Sequence, residues 1–459
     1  MLLCCAVAAA TWLAFYPTVF SRDAFYMLLS AVEGKYNDIH ALLIPLAVAA
    51  VLRMGGDIGL VTLAQVLFGF LGIRRLVLAL SRLLGVVDAR KAELGVFVVV
   101  AALASPLSPL PIYLATLWSD TWLAVFLLWW LRLVIELQQG YTARWGTAWR
   151  LTLVLLLTAL ILLVRYNDIV LYPIMAALLA IALGRSVPRR TIRYGALLLP
   201  LLAAAAFLSG AYALIDIGRG HAEHAVYALD LASMMLRAPT ICQDLSLHTC
   251  EIVLGEFPPG FRAGDGAISL TFSQSRLQQL QPFMELFFHP RLEEDFSIAA
   301  RDHPGLLFQV KLLNFLDYIG PDRSQFFFQN TIIPQDIRFL PGQAFADPAA
   351  SWFMAVRRVH QSPWLSWLSF VHAVWLLPCV IGVIALGVRL AIRRAASDAF
   401  WLGLLCVPAS YYGSHIIALT TLEFRFMYPS TLLMQVGTIT ALAWLLTGRR
   451  VKRPAYRRI

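Results

Sequence analysis

The sequence predicts an all-α protein that crosses a membrane many times and carries one large domain between its spans. The 459-residue chain is 59% hydrophobic and only 14% charged, whereas a soluble domain is about 25% charged. Apolar runs recur along most of the chain, and several reach the roughly 20 residues that a helix needs to cross a bilayer. Residues 216–362 have ordinary polarity, and within them 222–237 and 304–319 have the apolar spacing of helices.

Ten apolar segments are predicted to span the membrane. They lie near residues 1–20, 57–80, 93–115, 121–137, 149–165, 169–184, 194–215, 363–388, 399–420 and 427–447. The chain therefore divides into an N-terminal module of seven spans (1–215), an inserted domain (216–362) and a C-terminal module of three spans (363–459). The inserted domain is expected to be soluble and mostly helical.

Charge in the loops predicts the orientation. The tail GRRVKRPAYRRI has six basic residues and no acidic one, and basic loops stay in the cytoplasm. Four further basic loops fall on the same side only if the short apolar piece 41–53 does not cross. These loops are 81–93, 138–150, 184–193 and 389–398. We therefore expect 41–53 to lie as a helix in the membrane interface, within a first outer loop of 21–56, and both termini to be cytoplasmic.

The net charge of +10 does not indicate nucleic acid as a partner. In a chain with many spans, excess Arg and Lys mark the cytoplasmic loops. Abundant Leu, Ala and Arg beside scarce Lys favour a bacterium with GC-rich DNA. The expected location is the bacterial inner membrane.

Ionisable residues gather at the span ends that this topology places outside. They are Asp23 and Asp38 in the first outer loop, Asp120 in LWSD, Arg165 and Asp168 in RYND, and Glu423 and Arg425 in LEFRF. A charged group in or near a span is costly and marks a candidate functional site. Ordinary interfacial charges solvated by water would explain any one of them, but they explain the whole set on one face less well.

Carboxylates and arginines beside lipid headgroups fit transfer from a lipid phosphate. Arginine can hold a phosphate through two charge-assisted hydrogen bonds. A carboxylate can take the proton of an attacking hydroxyl. The leaving phosphate ester departs as a stable anion, so a cation that stabilises it can replace a general acid. Hydrolysis of a glycosidic bond, in contrast, needs two carboxylates.

Several motifs resemble, in chain order, those of the GT-C superfamily of membrane glycosyltransferases. FYPTVFSRDAFYMLLSAVEGKYNDIHALLIPLA resembles the opening of these enzymes, with Asp23 at the acid that follows the first span and NDIH at the second motif. LWSDTWLAV, LLVRYNDIVLYP, ARDHPGLLFQVKLLNFLDYIG and LEFRFMYPS resemble later motifs. Two positions differ: Ala41 stands where the family often has Pro, and Phe426 where it usually has Tyr.

The resemblance implies an inverting glycosyltransferase, related to protein O-mannosyltransferases and the lipid A aminoarabinose transferase. It would move a sugar from a polyprenyl-phosphate donor to an outer-face glycan, glycolipid or protein. Asp23 would be the catalytic base and Asp120 a second acid. Substrate-binding residues would be Arg165, Arg425, Asn37, Asp38, His40 and Glu423. A divalent metal (Mg²⁺, Mn²⁺ or Zn²⁺) at Asp120 and His40 stays open, as does a hydrogen bond of His40 at a helix N-terminus.

Two other classes of function are also consistent with a protein of many membrane spans. A membrane transporter or a flippase of cell-envelope lipids would also be polytopic, and so would a noncatalytic assembly partner. A transporter places charges near the middle of the membrane, on broken helices and in repeated halves. Here the charges lie at span ends and the sequence shows no repeat, which favours the enzyme.

The inserted domain contains three further features. Cys242 and Cys250 could form a disulfide in an oxidising compartment, and the sequence leaves this open. His221 and His224, in HAEH, have the spacing of a metal-binding pair on a helix, but the sequence identifies no third ligand, so a solvated face is the expectation. His303, in RDH, is expected to cap the helix that begins at Pro304.

Overall fold

The structure is a computed structural model. It describes residues 1–19, 22–37, 41–86, 88–140, 144–186, 190–257, 277–320, 355–356, 358–359, 361–418 and 424–446. Asp38, His40 and Glu423 lie outside these ranges. Arg425 and Asp168 are described by their backbone alone.

The described residues are almost entirely helical. The N-terminal module contains α1 (Leu2–Ala14), α2 (Arg22–Glu33), α3 (Leu43–Arg53), α4 (Ile58–Leu83), α5 (Ala89–Ala104), α6 (Leu110–Ala115), α7 (Ser119–Gln139), α8 (Arg144–Val164), a 3₁₀ helix (Tyr166–Leu171), α9 (Tyr172–Ser186) and α10 (Arg190–Leu214). Two short strands, β1 (Tyr36–Asn37) and β2 (Ile217–Gly218), pair in parallel. They join the first loop to the start of the inserted domain.

The inserted domain contains α11 (Ala222–Arg237), a 3₁₀ helix (Pro239–Gln243), α12 (Leu247–Glu256), α13 (Leu277–Phe287), α14 (Leu292–Asp302) and α15 (Pro304–Ile319). The C-terminal module contains α16 (Pro363–Phe370), α17 (His372–Arg393), α18 (Ala396–Ala418), a 3₁₀ helix (Phe424–Met427) and α19 (Tyr428–Leu446). The two helices predicted from apolar spacing, 222–237 and 304–319, are confirmed by α11 and α15.

Four described helices are long and apolar enough to cross a membrane. They are Ile58–Leu83, Gly146–Val164, Leu197–Leu214 and His372–Arg393. The molecule is thus an all-α membrane protein by the length and composition of its helices, and the count of ten spans and their orientation stay predictions.

Two predicted spans look different in the structure. The segment 93–115 is not one helix, because α5 ends at Ala104 and α6 begins at Leu110. Pro106 and Pro109 lie in this gap, and proline lacks the N–H that a continuing helix needs. In the segment 1–20, the helix covers only the 13 residues of α1.

Residues 41–53 form a short helix, as the charge pattern predicts. The 11 residues of α3 extend for about 17 Å at 1.5 Å per residue. A bilayer core is about 30 Å thick, so this length agrees with a helix that does not cross. Helix α3 packs against α2 and α4.

Helix α7 lies at the centre of the N-terminal module. Most of its side chains are buried, and it packs against α4, α8, α9 and α19. A helix that is apolar and buried on all sides belongs to the core of a bundle. Gly72 lets α4 approach α7 closely, since a Cβ atom at this position would lie only 3.1 Å from Nε1 of Trp129 on α7.

The inserted domain has its own apolar core around α11. Leu229, Met234, Ile252 and Leu286 are among its buried residues. Asp230, also on α11, is buried and forms an ion pair with Lys311 of α15. Burial raises the pKa of Asp230 to about 6, against the opposing effect of Lys311.

Helix α15 links the inserted domain to the C-terminal module. Val310 lies in the domain core. Phe315 and Tyr318, one to two turns later, pack with Cys379 of α17 and Tyr412 of α18. His303 is the N-cap residue of α15, as predicted, although its side chain makes no capping hydrogen bond. Its carbonyl instead accepts hydrogen bonds from the backbone of α15.

Cys242 and Cys250 are both free thiols in the structure. The Sγ atom of Cys250 lies 3.7 Å from the carbonyl oxygen of Cys242. Burial raises the pKa of the Cys250 thiol to about 12, so little of it is the reactive thiolate at neutral pH. A disulfide between Cys242 and Cys250 in an oxidising compartment stays an open prediction.

Candidate functional site

Asp120 lies in the first turn of α7 and is only 2% exposed. The turn before it is fixed from α4, because the buried Gln65 Nε2 donates hydrogen bonds to the carbonyls of Leu114 (2.6 Å) and Thr116 (2.7 Å). Thr121 Oγ1, next to Asp120, donates to the carbonyl of Tyr113 at 3.0 Å. These three hydrogen bonds hold the start of α7, which carries Asp120, in place.

Arg165 is the partner of Asp120. It follows the end of α8 in an extended conformation, and its guanidinium forms an ion pair with the Asp120 carboxylate. The same Nη1 donates to the hydroxyl of Tyr411 on α18 at 3.0 Å. The guanidinium carbon also lies 4.8 Å from the ring centre of Phe426, within range of a cation–π interaction. We call Asp120, Arg165, Tyr411 and Phe426 the Arg165 cluster.

The chain segment that leads to Asp23 lies beside the one that leads to Asp120. Val19 forms a parallel bridge with Thr116, and its N–H donates to the carbonyl of Ala115 at 2.9 Å. Each acid follows its bridge residue by four positions and lies in the first turn of the next helix, α2 or α7. Asp23 is partly buried. The two acids therefore lie in the first turns of helices whose preceding segments pair at Val19 and Thr116.

The late LEFRF motif also reaches the Arg165 cluster. The 3₁₀ helix Phe424–Met427 brings the Phe426 ring against Arg165, so the backbone of Arg425 is adjacent to the cluster in sequence. Tyr428, two residues after Phe426, is fully buried against Tyr113, with ring centres 4.4 Å apart. This packing attaches the start of α19 to the turn before Asp120.

The predicted set is thus only partly brought together. The segments that precede Asp23 and Asp120 pair at Val19 and Thr116, and Arg165 pairs with Asp120. Asn37 lies in β1, beyond the C-terminal end of α2, opposite Gly218, whereas Asp23 is at the other end of that 12-residue helix. Asp38, His40 and Glu423 lie outside the described residues.

Sequence reasoning missed the role of Tyr411. It lies in the apolar helix α18, where a tyrosine is usually a packing residue. Its neighbour Tyr412 is equally buried and bonds Thr431 Oγ1 at 2.7 Å. The sequence offers no signal that distinguishes the two, and only the fold shows that Tyr411 alone meets Arg165.

A metal ion at Asp120 finds little support among the described residues. The Asp120 carboxylate is already paired with Arg165, whose positive charge opposes a cation, and His40 lies outside the described ranges. Within these ranges, the group of three side chains with metal-ligating atoms close together is His221, Glu223 and His224 in the inserted domain.

A second charged cluster lies near the other end of α7. Glu136 is buried, and its two oxygens accept hydrogen bonds from Nε of Arg132 (2.8 Å) and Nε of Arg150 (3.0 Å). We call these three residues the Glu136 cluster. Glu136 follows Asp120 by 16 positions, which corresponds to about 24 Å along a helix.

We compared the chain with protein-family models, with curated proteins and with solved structures, and none of the three comparisons finds a match.

Proposed function

We propose that the protein is an inverting glycosyltransferase that uses a polyprenyl-phosphate sugar as its donor. The acceptor would be a glycan, a glycolipid or a protein at the outer face of the bacterial inner membrane. The observation that carries the proposal is the junction at the Val19–Thr116 bridge, from which Asp23 and Asp120 both start helices while Arg165 pairs with Asp120. The junction supports the proposal because Asp23, the candidate base, follows one side of the bridge by four residues, and Asp120, the partner of the candidate phosphate-binding Arg165, follows the other side by four.

The proposed reaction needs one base and one anion-binding group. Asp23 takes the proton of the acceptor hydroxyl as its oxygen attacks the anomeric carbon of the sugar. The bond from that carbon to the phosphate oxygen breaks, and polyprenyl phosphate leaves with the bonding electrons. A single displacement inverts the anomeric configuration. Arg165 and Arg425 stabilise the charge that develops on the leaving phosphate.

Asp120 has a positioning role in this proposal. Its ion pair orients the Arg165 guanidinium before the donor arrives, and Tyr411 and Phe426 constrain the same group. A preorganised guanidinium loses less side-chain freedom on binding a phosphate. The sequence-based role of Asp120 as a metal ligand is not needed here.

The distribution of charge on α7 favours an enzyme over a transporter. No ionisable residue occurs between Asp120 and Arg132, and the charged residues of the helix lie towards its two ends. A transport pathway would place charged groups near the middle of the membrane.

A lipid flippase is the second candidate, because three helices of the membrane modules contain a proline. Pro200 lies inside α10, Pro378 inside α17 and Pro408 inside α18. Proline within apolar segments is a feature of many transporter sequences, although each of these three helices continues through its proline. A flippase would move the lipid across the membrane without changing it chemically, and this difference separates the two candidates.

The test incubates the purified protein with a panel of radiolabelled polyprenyl-phosphate hexoses and pentoses, and with bacterial membrane vesicles as the acceptor source. The wild type should release polyprenyl phosphate and pass label to an acceptor with at least one donor. Asp23→Asn should lower this rate by about 10²- to 10⁴-fold, the usual contribution of a general base.

The matched control is Glu33→Gln, which removes an exposed acid at the far end of the same helix and should leave the rate unchanged. Full activity of Asp23→Asn would disprove the assignment of the base. Movement of intact donor across vesicles without sugar release would support the flippase instead.

A further inference from the structure

We propose that His221, Glu223 and His224 form a binding site for Zn²⁺ at the start of α11. One ligand atom from each side chain lies within 4.8 Å of the others. The structure supplies the third ligand, Glu223, that the spacing of the two histidines alone leaves unidentified. The proposal concerns the inserted domain and does not depend on the proposed enzymatic function.

The surroundings of His224 fix which of its nitrogens can bind a metal. Its Nδ1 lies 2.9 Å from the carbonyl oxygen of Phe287, at the end of α13. A carbonyl only accepts, so Nδ1 carries the proton and Nε2 keeps its lone pair. Most metal-binding histidines are oriented in this way, by donating the other ring N–H to a carbonyl or a carboxylate.

His221 presents a nitrogen that lacks a hydrogen-bond partner in the described part of the chain. Its Nδ1 is buried and makes no hydrogen bond there, although it lies 3.5 Å from Oε1 of Glu223. A buried polar atom without a partner is costly, and metal coordination would satisfy it. The His221 and His224 rings lie with their centres 4.6 Å apart.

The backbone of His221 is also unusual. It has a φ of +51°, in the left-handed region, just before α11 begins. Residues other than glycine seldom adopt this conformation, and such conformations cluster at ligand sites. This turn of the backbone brings the His221 ring beside the first turn of α11, where Glu223 and His224 lie.

The ligand set favours Zn²⁺ over Mg²⁺ or Ca²⁺. Two imidazoles and one carboxylate form the ligand set of many zinc sites with an open fourth position, whereas Mg²⁺ and Ca²⁺ prefer oxygen ligands throughout. The side chains of His221 and Glu223 are 39% and 46% exposed, so the ion can enter and a water molecule can complete its coordination. The negative charge of Glu223 offsets the positive end of the helix dipole.

The same domain provides a matched comparison in His248, Glu285 and His289. The two imidazole centres lie 5.1 Å apart, and His248 Nε2 is 3.5 Å from a Glu285 oxygen. In the first group, the three ligand atoms lie within 4.8 Å of one another, and the ligand atoms of His248, Glu285 and His289 do not. In addition, His289 Nδ1 accepts a hydrogen bond from the Arg291 N–H at 3.4 Å, which occupies one of its nitrogens.

The experiment uses the full-length protein in detergent, freed of metal with EDTA and then dialysed against Zn²⁺. Bound zinc is counted by mass spectrometry, and affinity is measured by competition with a chromophoric zinc indicator. The wild type should bind one Zn²⁺ tightly, and Zn²⁺ should raise its thermal unfolding temperature. His221→Gln, Glu223→Gln and His224→Gln should each weaken binding by about 100-fold or more, since even an outer hydrogen bond to a ligand is worth 10- to 100-fold.

The control variant His248→Gln should retain the wild-type zinc content and affinity. Glu223→Gln keeps the test decisive if a histidine variant fails to fold, because the Glu223 side chain is half exposed. A wild type that binds no zinc in competition with the indicator would overturn the proposal. Equal losses in His248→Gln and Glu223→Gln would overturn it as well, because they would indicate nonspecific binding to surface histidines.

Discussion

The two charged clusters of α7 are assembled in different ways. In the Glu136 cluster, the carboxylate binds Arg132 one turn away on the same helix and Arg150 on the next helix in the chain. In the Arg165 cluster, Asp120 pairs with a residue 45 positions away. Arg165 in turn contacts Tyr411, 246 positions further on.

This difference shows what each cluster can do. The Glu136 cluster fastens two consecutive helices and forms as soon as α7 and α8 pack together. The Arg165 cluster joins the N-terminal module to the C-terminal module across the whole inserted domain. It is complete only when both modules have assembled, which suits a site whose parts must come together before it can bind a ligand.

Removal of the Asp120 or the Glu136 carboxylate should cause the largest loss of stability. Only removal of Asp120 should also abolish sugar transfer. Asp120→Asn leaves the Arg165 guanidinium without its counterion, and breaking a buried pair in this way costs about 3–5 kcal/mol. Because Arg165 is partly exposed (17%), we expect the lower end of this range. Sugar transfer should also be lost, since the guanidinium is no longer oriented.

Glu136→Gln is the comparison. It should lower the thermal unfolding temperature in detergent as well, but transfer per folded molecule should stay at the wild-type level. The measurement pairs thermal unfolding with the transfer assay at a temperature where both variants are folded. Equal activity of the two variants would remove the functional distinction between the clusters.

Removal of the Tyr411 hydroxyl should cause a smaller loss of stability than removal of either carboxylate. Tyr411→Phe removes one acceptor from Arg165, and a hydrogen bond to a charged group contributes about 1.5–3 kcal/mol. Tyr412→Phe removes a neighbouring buried hydroxyl that bonds Thr431 and not Arg165. Both variants should be destabilised, but Tyr411→Phe alone should weaken binding of polyprenyl phosphate, as measured by native mass spectrometry. Equal affinities would assign Tyr411 to packing.

The sequence predicts helices well where the signal is local. The bounds of α15 follow from apolar spacing and from Pro304 at the first helical position. The short α3 follows from the alternation of basic loops. The break between α5 and α6 also has a local signal, in Pro106 and Pro109, but the high hydropathy of 93–115 obscured it.

The candidate site is less predictable because its contacts are not local. The sequence predicts that Asp120 and Arg165 lie at the same face of the membrane, but it does not show that they pair with each other, since this ion pair depends on how α7 and α8 pack. No sequence pattern in α18 shows that Tyr411 accepts a hydrogen bond from Arg165 and is not only a packing residue. His221 and His224 are visible in the sequence, whereas the hydrogen bond to Phe287 that orients His224 requires the fold.

The central claim is that the Arg165 cluster holds the phosphate of a polyprenyl lipid, and direct binding tests it best. Affinity for polyprenyl phosphate should be compared between Arg165→Lys and Arg150→Lys, which make the same change at opposite ends of α7. Lysine keeps the charge but loses the planar fork. We predict that Arg165→Lys weakens binding about 10-fold, or 1.4 kcal/mol, and that Arg150→Lys binds like the wild type. Wild-type affinity in Arg165→Lys, or the same loss in both variants, would contradict the account.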